Sequence, residues 1–308
     1  MVHTAEGAAR RFERRDVRVR EAALHPSGLR ALRLAVGDES DDESPDPGTH
    51  LSPVSTGVFA EWSARVGTPA ALPNVYVPHA ARLSTLADGV APFSGATLDG
   101  TLRRHLTHDV DARAVRVRAR VLQWLAVRSV IDVDRTVRWT SLACGPAFPL
   151  IGAMSAAADA RADVFATFVE TCTDVLAASR RVALWHGIDP AAHEFIAASP
   201  FDGLAARIGA ETQDLVEALG LLDSVEPHEA ASALAEAYAL VRPGGSFVFS
   251  TMLEERPRPS GVVAWPPVRR RTLEDVAALL AVAGIPVADA LVCLADDGVY
   301  AVVEVARP

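Results

Sequence analysis

The sequence predicts an α/β protein: a seven-stranded, mostly parallel sheet that ends in an antiparallel hairpin, preceded by an N-terminal, mainly helical cap. Three observations carry this. Residues 137–147, VRWTSLACGPA, read as a short buried strand entering a turn of small residues, with a helix from about residue 150. From residue 163 to 252, β-rich runs alternate with helical stretches, as strands joined by crossover helices do. Near the end, residues 288–295 and 299–305 are β-rich runs joined by Asp296, Asp297 and Gly298, a hairpin signal.

The small residues have a physical reason. A backbone that passes close to a bound nucleotide-like group leaves no room for bulky side chains. Ala143, Gly145 and Ala147 alternate here with Cys144 and Pro146. Glycine also permits positive φ. A strand–turn–helix unit of this kind is a docking place for a nucleotide-like cofactor on an open sheet. A tight connection without a ligand is the alternative reading.

The cap is assigned to residues 1–105 and the sheet domain to 106–308. Residues 10–24 are predicted as an amphipathic helix. Residues 38–47, DESDDESPDP, have no apolar surface to bury and are predicted as a disordered loop. Prolines 53, 69, 73, 78 and 92 then break the chain into short helices and irregular loops. Residues 58–66 are a helical candidate with Phe59 and Trp62 on its core face, and residues 74–79 a short extended piece. His79, His105 and His108 are polar residues here suited to meeting a substrate. His105 and His108 stand three apart on a helix, but no acid or third ligand accompanies them, so no metal is expected.

Residues 109–127 predict a long helix. Val110, Ala114, Val117, Val121 and Leu125 form its apolar face, and Arg113, Arg116 and Arg120 a solvated or salt-bridged one. After the turn, the sequence predicts strands over 163–170, 193–198, 212–221 and 246–252. Helices are predicted over 150–160, 174–186, 201–207 and 227–241. Gly187 reads as a C-cap and Pro227 as a first-turn proline. Residues 242–245, RPGG, read as a turn, and residues 254–267, with four prolines, as an irregular excursion. Thr272 and Asp275 form a capping-box pair for a helix ending at Gly284.

Composition narrows the function. The 308 residues carry a net charge of −9, and the arginine-rich stretches are local, so nucleic acid is disfavoured as a partner. The three cysteines, Cys144, Cys172 and Cys293, form no C-x-x-C, which disfavours structural zinc and a disulfide framework. No apolar run reaches the roughly 18 residues of a membrane span, and no apolar core marks a secretory signal. A cytoplasmic protein without a membrane partner is expected.

The order of elements resembles the class I S-adenosylmethionine-dependent methyltransferases, with their Rossmann-like sheet and reversed terminal hairpin, over roughly residues 109–308. SLACGPA is similar to a subgroup motif that reads S-I-G-C-G-P-A in bacterial small-molecule methyltransferase-like proteins. The resemblance implies that Ala143, Cys144, Gly145, Pro146 and Ala147 line S-adenosylmethionine. In FVETCTDVLAA, Glu170 falls where the family places an acid for the ribose hydroxyls, with Thr171 beside it. A carboxylate there suits two hydroxyl donors. DLVEALGLLD resembles the end of the family's fourth strand, which implies that Glu217 and Ala218 border the cofactor and the substrate mouth. LVRPGG precedes the fifth strand, and AGI before the hairpin resembles A-G-F. Asp202 is the candidate for the adenine amino group. Two departures stand out: Ser141 replaces an acid near the start of the first motif, and alanines replace its first and third glycines. A tighter site and a weakened one both fit.

Methyl transfer from a sulfonium needs alignment of the acceptor and, for some acceptors, removal of a proton. Glu217, Asp223, His228, His186, Tyr76 and His79 are candidates for that task, each equally readable as structural. The resemblance implies a methyltransferase acting on a small-molecule acceptor, with a homo-oligomer compatible. Two alternatives stand beside it. One is attack at another carbon of the sulfonium with release of methylthioadenosine, by aminocarboxypropyl transfer or cyclisation. The other is a non-catalytic relative that binds a partner or holds an oligomer, which a cavity filled by Phe148 or Trp185 would fit.

Overall fold

The computed structural model describes residues 17–37, 57–84, 93–131, 133–201, 203–223, 225–257, 263, 265 and 267–308. The chain opens with β1 (Val17–Leu24) and β2 (Arg30–Val36), an antiparallel pair turned at Gly28, φ +87°. This corrects the helix expected over residues 10–24. The β-branched Val17 and Val19 alternate with arginines, and pairing with β2 outweighs the helix propensity of Arg and Ala. Residues 10–16 and the acidic stretch 38–47 lie outside the described residues.

Three cap helices follow: α1 (Gly57–Ser63), α2 (Leu72–Tyr76) and α3 (Gly100–His108). Residues 74–79 were expected to be extended, yet Asn74 to Tyr76 are helical. Pro73 at the start of α2 presets φ for the first turn, and Pro78 follows its end. Phe59 and Trp62 are buried as expected, against Val75, Leu102, Leu106, Ala112 and Val115.

The last two belong to α4 (Val110–Val130), whose N-cap Asp109 accepts from the Asp111 and Ala112 amides. The sheet-side core covers one face of α4 and the cap core another. That explains a second correction. Arg116, expected on a solvated or salt-bridged face, is buried and donates to the carbonyls of Val75, Leu106, Thr107 and Ala112. Arg113 and Arg120 on the same face are half-buried, and Arg120 donates to the Gly37 carbonyl at 2.9 Å.

The alternating unit then runs β3 (Val137–Leu142), α5 (Phe148–Asp159), β4 (Val164–Glu170), α6 (Thr173–Trp185), β5 (Glu194–Ala197), β6 (Gln213–Ala218) and α7 (Pro227–Leu240). It continues with β7 (Val241–Leu253), β8 (Arg270–Arg271), α8 (Leu273–Val282), β9 (Ala290–Ala295) and β10 (Tyr300–Ala306). The predicted helix over 201–207 is a single π-turn at Ala205–Gly209.

The ten strands form one sheet, ordered β1-β2-β9-β10-β7-β6-β3-β4-β5, with β8 paired to β7 off this path. Five neighbouring strands, β5, β4, β3, β6 and β7, are parallel, and β10 reverses against both β7 and β9. The expected seven strands are therefore present, but the sheet is larger: β1, β2 and β8 are added. The apolar run ALVCLA of β9 would otherwise be an open edge, and β2 covers it in parallel pairing.

Helices α4, α5 and α6 pack on one face and α7 and α8 on the other. Trp139, Phe168, Phe247 and Phe249 are fully buried between them, each contributing about 2–3 kcal/mol. The RPGG turn is absorbed as a bulge of β7. Gln213 faces Val241 and Leu215 faces Ser246, so residues 242–245 are pushed out of register. Gly245 is required there, since a Cβ would stand 2.8 Å from the Asp214 carbonyl oxygen. Among the described residues, no helix is long and apolar enough to cross a membrane.

Candidate functional site

The carboxyl ends of β3, β4 and β6 meet at the turn of residues 143–147. Ala143, Gly145 and Ala147 all adopt left-handed backbone, with φ of +50°, +53° and +59°. For the two alanines this costs about 1 kcal/mol each. The turn is tied on every side. The Cys144 amide donates to the Val169 carbonyl at 3.1 Å, and the Ala147 amide to that of Cys144 at 2.8 Å. Ser179 of α6 donates to the Gly145 carbonyl at 2.7 Å. Nothing in the sequence distinguished Ser179 from other helix serines. Burial pushes the Cys144 thiol well above its usual range, with Glu170 adding to the effect, so it stays protonated and unreactive.

Glu170 sits at the end of β4 and binds the turn directly. Its Oε2 accepts from the Gly145 amide at 3.1 Å. Its Oε1 accepts from the Thr171 amide (2.8 Å), the Thr171 hydroxyl (2.9 Å) and the Cys172 amide (3.3 Å). Thr171 is thereby turned onto Glu170.

On the other side of β3, Glu217 is buried at the end of β6. Ser141 donates to its Oε1, and the Leu219 amide to its Oε2 at 2.9 Å. Ser141 of β3 is thus the partner of an acid in β6. Burial raises the Glu217 pKa to about 7, against the pull of Ser141, Leu219 and Arg118.

Arg118 comes from α4, buried beneath the cap. Its Nη1 donates to Asp223 Oδ2 at 3.1 Å, and its guanidinium lies 4.5 Å over the Tyr300 ring. Gly220, with φ +87°, lets the chain pass this group: a Cβ would stand 3.3 Å from Arg118 Nη2. Asp223 also accepts from the Tyr300 hydroxyl at 3.4 Å, and burial raises its pKa, opposed by Arg118. Arg271 donates to the Leu222 carbonyl (2.8 Å) and the Thr251 hydroxyl (3.1 Å). Three buried atoms of this cluster, Arg118 Nε, Asp223 Oδ1 and Arg271 Nη2, lack hydrogen-bond partners among the described residues.

Tyr76, at the end of α2, stacks on Phe148 with ring centroids 5.1 Å apart and an interplanar angle of 20°. Burial raises its pKa, while Arg118 beside it works the other way. Leu72 of the same helix lies 4.0 Å from where a Cβ on Gly145 would stand.

The structure therefore gathers Ala143, Cys144, Gly145, Pro146, Ala147, Glu170 and Thr171 at one turn. Glu217, Ala218, Asp223 and Tyr76 lie in the adjoining buried region. It does not bring in His79 or His228, which are exposed; His186, also exposed, stands edge to face with Phe148 at 6.4 Å and with Trp185 at 5.2 Å. Asp202 lies outside the described residues. His105 is buried against the rings of Phe59 and Trp62, at 5.3 and 5.6 Å, away from this cluster. The sequence reading passed over Arg118, Arg271 and Tyr300. Arg118 follows Val117 on the apolar side of α4, and that breach of the apolar pattern was its one signal.

No family model matches the chain, and no curated protein matches it in sequence. Solved structures do. A possible exported protein from Bordetella parapertussis is 15% identical with a TM-score of 0.54, covering 86% of this chain and 99% of its own. The CurJ carbon methyltransferase is 13% identical with a TM-score of 0.49, and the match covers 68% of this chain and 59% of that one. Magnesium protoporphyrin IX methyltransferase from Synechocystis, solved with bound SAM, is 14% identical with a TM-score of 0.45, covering 64% of this chain and 83% of that one. The first of these shows a shared fold.

Proposed function

We propose that the chain, on its class I methyltransferase-like fold, is an S-adenosylmethionine-dependent methyltransferase of a small-molecule acceptor. One observation carries this reading. The small-residue turn after β3 is bonded to Glu170 at the end of β4 and flanked by the buried Glu217 at the end of β6. Carboxyl ends of central strands are where ligands bind on such sheets.

The residues present fit the cofactor. The turn of residues 143–147 has small side chains, with the Cys144 thiol and the Pro146 ring buried and Ala143 and Gly145 partly exposed, which suits close approach of an adenosyl and methionyl group. Glu170 would take a ribose hydroxyl on Oε2, since that oxygen holds one donor in the fold and Oε1 holds three. Thr171, Glu217 and Ala218 would line the same space, with Asp202 assigned to the adenine on sequence grounds alone. When bound, the sulfonium supplies the electrophilic methyl group.

The chain's own task is then to place the acceptor and manage its proton. Glu217, poised near neutrality, is suited to take a proton on a carboxylate oxygen. Ser141 and the Leu219 amide fix its rotamer. Tyr76, Arg118 and Asp223 form the polar wall beside it, and the Phe148 ring helps exclude water. His79 and His228 have no part in this scheme. A cytoplasmic setting, without a nucleic-acid or membrane partner, accompanies the proposal.

One observation favours a second reading. Leu72 and Tyr76 pack directly on the turn and on Phe148. In a non-catalytic, partner-binding relative that packing would close the site permanently. Release of methylthioadenosine uses the same residues and differs in product. Calorimetric titration with S-adenosylmethionine, with Glu170→Ala as control, decides first. Saturable binding weakened by the substitution supports the enzyme readings, and the product, S-adenosylhomocysteine or methylthioadenosine, then separates them. Absence of binding at millimolar cofactor removes both and leaves the partner-binding reading.

A further inference from the structure

Beside the site lies a cavity that the scheme above does not use. It holds about 440 Å³ and is lined chiefly by Pro73, Val77, Ala80, Leu83, Phe148 and Trp185. Asn74 also borders it, but its amide is engaged within the chain: Nδ2 donates to the Arg82 carbonyl at 3.1 Å and Oδ1 accepts from the Ser84 amide at 2.9 Å. Arg82 at the rim donates to the Gly95 carbonyl at 3.1 Å. Among the described residues, no carboxylate lines the cavity. A cationic ligand would lose its hydration here without an opposite charge among the described lining residues.

Two rings give the cavity its shape. Phe148 and Trp185 stand edge to face, with centroids 6.2 Å apart at 77°, and form a corner. Trp185 is 57% exposed, unusual for so large an apolar side chain. A third ring set in that corner would stack on one and meet the other edge-on, both favourable arrangements. The volume falls in the lower part of the range for small-molecule sites, roughly 300–1,000 Å³. Phe148 is also the residue directly after the cofactor turn, and Tyr76 stacks on it. One ring thus belongs both to the cavity and to the proposed transfer site.

The geometry points to this cavity as a binding site for an aromatic molecule of two or three rings that carries no positive charge. That this molecule is the methyl acceptor rests on the methyltransferase reading; the site itself does not. Its ring system lies in the Phe148–Trp185 corner, and its nucleophilic group reaches past Tyr76 toward Glu217.

The test uses the full chain and N-phenyl-1-naphthylamine, an uncharged two-ring-system fluorophore that brightens in apolar surroundings. Wild type is compared with Ala80→Phe, which fills the cavity, and Trp185→Ala, an exposed position whose change spares the core. Val282→Ser removes a remote apolar side chain that is 77% exposed. Saturable binding is expected in the wild type and in Val282→Ser, at least about tenfold weaker in both cavity variants. Circular dichroism checks that each variant is folded, and Trp185→Ala decides if Ala80→Phe is not. Equal binding in wild type and Trp185→Ala overturns the site, as does a matching loss in Val282→Ser. The same preparations are titrated with S-adenosylmethionine. Cofactor binding without probe binding removes the cavity and keeps the enzyme reading; probe binding alone keeps the cavity and removes the acceptor role.

Discussion

Glu217→Gln is expected to stabilise the protein, and by an amount that depends on pH. The folded carboxyl has its pKa raised from 4.5 to about 7 by burial. Below pH 4.5 both the folded and unfolded chains hold the proton, and its contribution is fully present. As pH rises from 4.5 to 7, the unfolded chain releases the proton while the folded chain keeps it. Stability falls by about 1.4 kcal/mol per pH unit over that window, for a total of about 3 kcal/mol. Above about pH 7 the loss is complete and constant. Glutamine is a neutral isostere. Its carbonyl keeps the Leu219 amide bond, and its NH2 donates to Ser141, whose hydroxyl rotates to accept. The variant should therefore match wild type near pH 4.5 and exceed it by up to about 3 kcal/mol at pH 8. Urea unfolding followed by tryptophan fluorescence at pH 4.5, 6, 7 and 8 measures the difference. Parallel pH curves, or a variant less stable at pH 8, would refute the reasoning. They would mean that Glu217 is ionised in the fold and held by Arg118.

His105 carries the opposite sign. It is buried, its ring nitrogens lack hydrogen-bond partners among the described residues, and burial lowers its pKa despite Asp109 at 3.9 Å. Its contribution is present above about pH 6.5 and lost as pH falls through the folded value, because the unfolded chain takes up the proton first. His105→Leu should gain about 1 kcal/mol at pH 7 by removing unpaired polar atoms, and more at pH 5, read by thermal unfolding at both pH values. Ala143→Gly and Ala147→Gly relieve left-handed backbone and should each raise stability by about 0.5–1 kcal/mol, visible as a higher Tm; a lower Tm in both would show that the turn is unstrained. Arg118→Met leaves Asp223 buried without its cation and should cost about 3–5 kcal/mol in urea unfolding. Arg118→Met with Asp223→Leu should recover most of that loss, and no recovery would mean that Asp223 has another sufficient partner.

The parallel body of the sheet was legible because each of its signals is local. A buried strand of four to seven residues, a helix cap and a glycine turn all fit within a short window. Thr272 and Asp275, Gly187, Pro227 and Gly298 act as those windows indicate. The cap was less legible, since its elements are set by long-range partners. Residues 17–24 carry a composition that a helix accepts, and they become a strand by pairing with β2, which in turn lies on the edge of β9, far away in sequence. Arg116 shows the same limit. Its spacing with Arg113 and Arg120 describes a polar face, and the carbonyls of Val75, Leu106 and Thr107 draw Arg116 inward while the other two stay half-buried.

The site divides along the same line. Glu170 and the turn that it binds are separated by 25 positions, but each carries its own sequence signature, a strand-terminal acid and a run of small residues. The acid–serine pair carries none. Ser141 and Glu217 lie 76 positions apart and meet because β3 and β6 are neighbours in parallel register. Read singly, Ser141 is a missing acid. Read across the sheet, the acid stands on the next strand, and the serine fixes it. Under the proposed reading, the departure at Ser141 from the motif that the sequence resembles thus has a compensating partner within the fold. This favours a site rearranged around Glu217 over one that has decayed, because a decaying site has no reason to keep a carboxylate buried at an energetic disadvantage. The pH dependence of Glu217→Gln is the direct measure of that disadvantage.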